Sequence, residues 1–357
     1  MAGLELYGTP LYVISVFLLL LTAVKTLVPD NRADNLFRTI EFFIVFFAIV
    51  AASYYISNRP FDMEGDTEVY INFYNDVNSG LENPFQTFEH GFIGVVNFFG
   101  FLGLSYQCFF FFVAFVFLWS YYFLLKVVFG RGSSWALPVF GVLLFYPFFF
   151  SLTANIIRQG FALCFVNFAL VCCVKEYWRR GVVFSLLATL FHKSSLVYFP
   201  FVFFRKQIMS IGVVGVLVFW VLVSMASYFK VFSLLVSMLF ELLSGYGLSI
   251  NYSDVDNIDY VTGFRWDFWA FSSFSIVLLI TLKLLEGGRT NETYIFYICA
   301  FLACLHIAMF DVAYNDRFGI YAWIFYPLEI GYVIRLACAS FATGKRPKET
   351  GNENVFL

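Results

Sequence analysis

Three arginines share one local pattern. Arg158 in NIIRQG, Arg265 in GFRWDF and Arg317 in YNDRFG each stand in the first turn or so of an apolar stretch long enough for a helix. Each has polar company: Asn155 and Gln159 by the first, Asp267 by the second, Asn315 and Asp316 by the third. The free N–H groups and positive dipole end of a helix attract anions. A guanidinium adds a planar fork of donors matched to phosphate oxygens. Three such ends suit a diphosphate. Two plainer readings stand beside this one. An Arg at a membrane boundary can simply anchor to headgroups, and Arg265–Asp267 and Asp316–Arg317 can close local ion pairs whose role is structural.

The stretch RPFDMEGDTEVYINFYNDV supplies the acids. A helix from about Asp66 puts Thr67, Tyr70 and Tyr74 near one face. Asp62 and Asp66, like Glu64 and Glu68, are four apart and repel if both are ionised on a helix. Such crowding raises one pKa, which makes Asp66 the first candidate for a general base near neutrality. An acidic solvated loop or a cation site is the alternative, and spacing alone does not show the convergence of carboxylates that a hard cation needs. The second candidate base is His192 in ATLFHKSSLVYFP, where four polar residues in a row inside hydrocarbon are costly unless they face a wet cavity. His90 and His306 lack such company and read as structural. The seven cysteines lie in apolar runs with no C-x-x-C pair, so they read as soft filler. No metal and no cofactor is implied.

The elements that must position these groups follow from composition. Of 357 residues, 61% are hydrophobic and 13% charged, with 51 phenylalanines; the mean hydropathy is +0.80. A soluble domain carries about 25% charge, so a water-soluble globule, disorder, a disulfide-stapled secreted fold, a collagen-like fibre and a nucleic-acid binder are excluded. The class is an all-α polytopic membrane bundle. Candidate spans fall at 10–28, 36–57, 105–128, 135–152, 156–175, 182–204, 207–229, 231–245, 265–285, 293–311 and 317–338. The first lacks the basic flank and cleavage site of a signal peptide. The glycine-broken piece from Phe88 to Leu104 reads as interfacial or re-entrant. If 181–204 spans, the count is eleven. If it is a re-entrant hairpin folded at His192, and 231–245 lies along the outer surface, the count is nine. Residues 1–340 then form a single transmembrane domain with polar loops at 58–90 and 246–264, followed by a disordered tail, 341–357. Lys and Arg placement puts the tail in the cytoplasm, and the N-terminus and both loops outside.

Five motifs in this order, RPFDMEGDTEVY, NIIRQGFA, FHKSS before Pro200, FRWDF and NDRFGIYAWIFYP, resemble the EpsG family of Wzy-like polysaccharide polymerases over roughly residues 50–330. The resemblance implies a GT-C-like glycosyltransferase of the bacterial inner membrane. Such an enzyme joins repeat units carried on undecaprenyl diphosphate at the outer face, and its usual product is an O-antigen, capsule or exopolysaccharide. On that reading Arg158, Arg265 and Arg317 hold the diphosphate leaving group, where fixed cations favour the transition state. Asp66 or His192 takes the acceptor's proton. Arg59, Tyr70, Asn155 and Gln159 orient the sugars, with Asp267 and Asp316 in the binding set. The implied partners are the lipid-linked glycan, the bilayer, a flippase and a chain-length regulator. A lipid-linked oligosaccharide flippase is the main competitor, although it must expose its cations to both faces and these gather on one. A membrane acyltransferase using His192 lacks a second in-membrane His or Asn.

Overall fold

A computed structural model describes residues 9–27, 34–60, 65–81, 88–130, 133–235, 238, 262–286 and 290–343. Among these it forms fifteen α-helices and no strand, in two compact units, residues 1–204 and 205–357. The first unit begins with α1 (Thr9–Leu27), α2 (Asp34–Ser57), α3 (Thr67–Ser79), α4 (His90–Phe101) and α5 (Tyr106–Phe129). It continues with α6 (Ala136–Phe145) and α7 (Pro147–Phe150), the latter running into a π turn, Ser151–Asn155. It ends with α8 (Ile157–Val174), α9 (Trp178–Thr189), a 3-10 turn (Lys193–Val197) and α10 (Tyr198–Phe203). The second unit holds α11 (Arg205–Tyr228), broken at Gly212, then α12 (Trp266–Leu285), α13 (Thr293–Ala308), α14 (Asp316–Trp323) and α15 (Tyr326–Thr343).

Six segments are long and apolar enough to cross a membrane: α2 from Thr39, α5, α8, α11, α12 and Asp316–Phe341. The bent pair Ala136–Phe145 and Pro147–Asn155 makes a seventh, and Thr9–Ala23, α4 and α13 are shorter apolar helices. Length and apolarity thus mark six or seven spans among the described residues, against the nine to eleven expected. The chain is a multi-pass membrane protein. Its most apolar helices differ in what they face. In α8, 83% of the apolar window is buried, against 17% in α11. A helix apolar all round and enclosed is a core element, and α8 packs against α5 and α9. By contrast α11 turns Val214, Val218 and Leu222 outward, the face that lipid would cover.

Two local features place the polar groups. Tyr146 precedes Pro147, which disfavours the helical region for it; it takes φ −81, ψ 122, and the axis turns by 72°. The π turn that follows ends at Ile156 (φ −106, ψ 54), so α8 starts afresh at Ile157 with Arg158 as its second residue. The second feature is the segment after α8. At about 1.5 Å per residue, twelve-residue α9 is too short to span about 30 Å of hydrocarbon. The chain turns at Leu190–His192, and α10 folds back until Val202 lies against Gly181 at the start of α9. Residues 181–204 are thus a hairpin with its tip at His192.

Candidate functional site

The hairpin tip has broken backbone inside an apolar bundle, where polar groups must find partners. Locally, the His192 N–H donates to Ala188 O at 3.1 Å, and Ser195 donates to His192 O through both its N–H (3.0 Å) and Oγ (2.7 Å). The rest comes from the start of α4. The Gly91 N–H donates to Leu190 O at 2.9 Å, and a Cβ on residue 91 would strike Leu190. Only glycine allows that approach. It brings Glu89, two residues earlier, onto the tip.

Glu89 is 8% exposed and makes three polar contacts. Its Oε2 accepts from Arg158 Nη1 at 2.7 Å. Its Oε1 accepts the Lys193 backbone N–H at 3.0 Å and lies 3.4 Å from His192 Nδ1. Burial alone would push this carboxyl up. The His192 contact, the Arg158 guanidinium and the Lys193 N–H together outweigh burial and hold it at about 2. Glu89 is therefore ionised, and it is a poor proton acceptor near neutrality. Arg158 also stacks over Phe88, 4.0 Å from the ring centroid, and donates to the hydroxyl oxygen of Tyr70 of α3. His192 keeps 18% of its side-chain surface, but Nδ1 is buried towards Glu89. The exposed fraction belongs to the rest of the side chain.

One turn before Arg158 lies a second polar knot. Asn155 accepts the Asp66 backbone N–H through Oδ1 at 2.5 Å. Gly65 (φ +108) passes under the Asn155 amide so closely that a Cβ would overlap it. Helix α3 does begin after Asp66, and Thr67, Tyr70 and Tyr74 lie on its buried face. Asp66 itself is half-buried at the helix start; Asp62 and Glu64, its expected repelling company, lie outside the described residues. Arg59 is 4% exposed; it donates to Thr67 Oγ1 and Ile56 O and lies over Phe110, pinning the end of α2 to α3. Gln159 is buried in the first turn of α8.

The first unit thus gathers Arg158 and His192 through Glu89, with Tyr70 against the guanidinium and Asn155 and Asp66 one turn back. The second unit holds the remaining candidates. Arg265 caps α12 and forks onto Asp267, Nε at 3.2 Å and Nη2 at 2.5 Å, while lying 3.7 Å over Phe268. The local lock expected of that pair is formed. Arg317 is the second residue of α14, stacked on Tyr314 at 4.8 Å, and Asp316 opens the helix. Asn315 donates to Phe310 O at 2.9 Å. His306 is fully buried; its Nδ1 and Trp323 Nε1 both meet Ser272 Oγ, tying α12, α13 and α14 together. Among the described residues no group of three His, Cys, Asp or Glu side chains gathers as a metal site would require.

Glu89 is the functional candidate that residue patterning misses, because it counts there as one acid among seven in an outer loop. A signal was present. It is the one acid of that loop directly abutting an apolar helix, where a carboxylate needs a cation.

Residues 40–339 match the model of the EpsG family, across most of the chain. The chain belongs to the EpsG family. Membership makes it a membrane protein related to the Wzy-like polysaccharide polymerases. No curated protein and no solved structure matches it. The motifs that carried the EpsG resemblance therefore gain a matching frame, while the roles of individual side chains rest on geometry.

Proposed function

We propose that the protein is a glycosyltransferase that polymerises oligosaccharide repeat units carried on undecaprenyl diphosphate, acting at the outer face of the bacterial inner membrane. The observation that carries this reading is the placement of Arg158. It is a guanidinium at the start of an enclosed helix, oriented by a buried carboxylate, with an imidazole across that carboxylate. A diphosphate leaving group gathers negative charge as the anomeric bond breaks. A cation already fixed there stabilises that state without reorganising. An acceptor hydroxyl needs a base within reach, and Asp66 and His192 are the two candidates. In the second unit, Arg265 and Arg317 are read as helix-start guanidiniums suited to phosphate oxygens. The family relation supports the reaction class, and the apolar flanks suit a polyprenyl chain entering from the bilayer.

The test is the surface glycan of a strain whose only copy of the gene carries Arg158→Lys, which keeps the charge and removes the fork. Long-chain polymer should fall by about 100-fold, the cost of one such donor set, with protein level unchanged. Single repeat units should still reach the outer face. A normal polymer ladder would sink the reading. Loss of outward-facing single units would point to the flippase instead.

A further inference from the structure

This inference rests on the polymerase reading and concerns which group takes the acceptor's proton. Glu89 cannot swing. Its Oε2 is fixed on Arg158, its Oε1 on the Lys193 N–H, and its backbone is fixed by the Gly91–Leu190 hydrogen bond. His192 Nδ1 lies 3.4 Å from that same Oε1 and is shut from solvent. The distance is long for a finished hydrogen bond, as contacts between catalytic groups often are before substrate binds. An ionised carboxylate beside one ring nitrogen selects the tautomer that places the proton there. We propose that Glu89 is a positioning residue that holds the His192 proton on Nδ1, so that Nε2 is the general base for the acceptor hydroxyl.

The step balances without any further reagent. The acceptor O–H breaks and its proton goes to Nε2. The oxygen pair forms the new bond to the donor's anomeric carbon, and the old anomeric C–O bond breaks with its electrons on the diphosphate. The imidazolium then returns its proton to water. The groups facing the imidazole are Glu89 ahead of α4, Arg158 of α8 through that carboxylate, Tyr70 of α3 against Arg158, and Lys193 on the same turn. One carboxylate thus serves both the leaving-group cation and the base. Asp66, tied by its backbone to Asn155 instead, would be a bystander in proton transfer.

The experiment uses full-length protein labelled with nitrogen-15 histidine in micelles, with His192→Gln identifying the signal against His90 and His306. Wild type should show the Nδ1–H tautomer. Glu89→Gln keeps an acceptor and removes the charge, so it should lower the His192 midpoint by about one pH unit. The second arm measures polymer formation on the lipid-linked oligosaccharide fraction of cells lacking this gene. There the acid limb of kcat should move by the same amount in Glu89→Gln with KM nearly unchanged. Asp66→Asn should leave the limb in place. Where Glu89→Gln does not accumulate, the paired variant Glu89→Gln/Arg158→Gln leaves no lone buried charge and is titrated in its place. An unchanged His192 midpoint and tautomer would overturn the dyad. A shifted midpoint with an unmoved acid limb, or His192→Gln retaining rate within about threefold, would overturn the base assignment while leaving the polymerase reading intact. Wild-type protein that never lengthens the lipid-linked fraction would remove the polymerase reading, and the titration would still judge the dyad.

Discussion

A buried carboxylate and a partly buried guanidinium hold each other in place because neither is tolerable alone. Desolvating each ion costs several kcal/mol, which their attraction and added hydrogen bonds must offset. Removing one partner of the Glu89–Arg158 pair strands the other, at about 3 kcal/mol for a pair with some solvent access. Glu89→Ala should therefore lower the unfolding temperature more than Glu89→Gln/Arg158→Gln, in which both charges are gone. If the paired variant is the less stable of the two, the ion pair is not what holds the α4 start to α8. The pH dependence has a definite sign. The folded carboxyl is depressed to about 2 from an ordinary value near 4.5. Its stabilisation is full above the unfolded pKa and is lost as pH falls through the folded one. The stability gap between wild type and Glu89→Gln should thus shrink as pH falls from about 4.5 to about 2. A gap that widened over that acid range would contradict the pairing.

At the scale of elements, the site exists because two short helices meet without side chains between them. The Gly91 N–H reaches the Leu190 carbonyl, so α4 sits directly on the tip of the α9–α10 hairpin. Gly91→Val would force that contact apart and withdraw Glu89 from both its partners. Its polymer yield should fall as far as that of Glu89→Ala, and its His192 titration should match that of a variant without the Glu89 charge. Normal titration in Gly91→Val would mean the carboxylate finds the imidazole by another route. This junction shows why the sequence is legible only in parts. Composition and apolar runs expose the spans because a run of about 20 apolar residues matches the thickness of a bilayer and exceeds most buried core helices. The helix after Asp66, the start of α8 at Arg158 and the polarity of the His192 turn are all local signals. Glu89 meets Arg158 across 69 positions and Lys193 across 104. No periodicity reports a contact at that separation, so in the sequence the acid reads only as loop charge. The hairpin is undecidable there for a related reason: the apolar stretch 181–204 can span once or fold back, and the choice lies in tertiary packing.

At the scale of the whole chain, the hairpin carries a prediction about membrane sidedness. Helix α8 runs from Ile157 to Val174, and Lys175, Arg179 and Arg180 follow, the end that positive-inside counting expects in the cytoplasm. Helix α9 rises from that end, turns at His192 and returns through α10, so Phe203 ends near the level of Gly181 rather than across the bilayer. The next residue but one, Arg205, opens the second unit by donating to Asn291 at 2.7 Å and stacking on Tyr294 at the start of α13. Positive-inside counting expects Lys283 in the cytoplasm. The hairpin reading of 181–204 carries its own expectation, that residues 205 and 206 face the cytoplasm. A Lys206→Cys variant, its native cysteines replaced, should resist an impermeant thiol reagent in intact cells and react once the membrane is opened. Labelling from outside would require 181–204 to cross the bilayer, and Val202 could then no longer lie against Gly181.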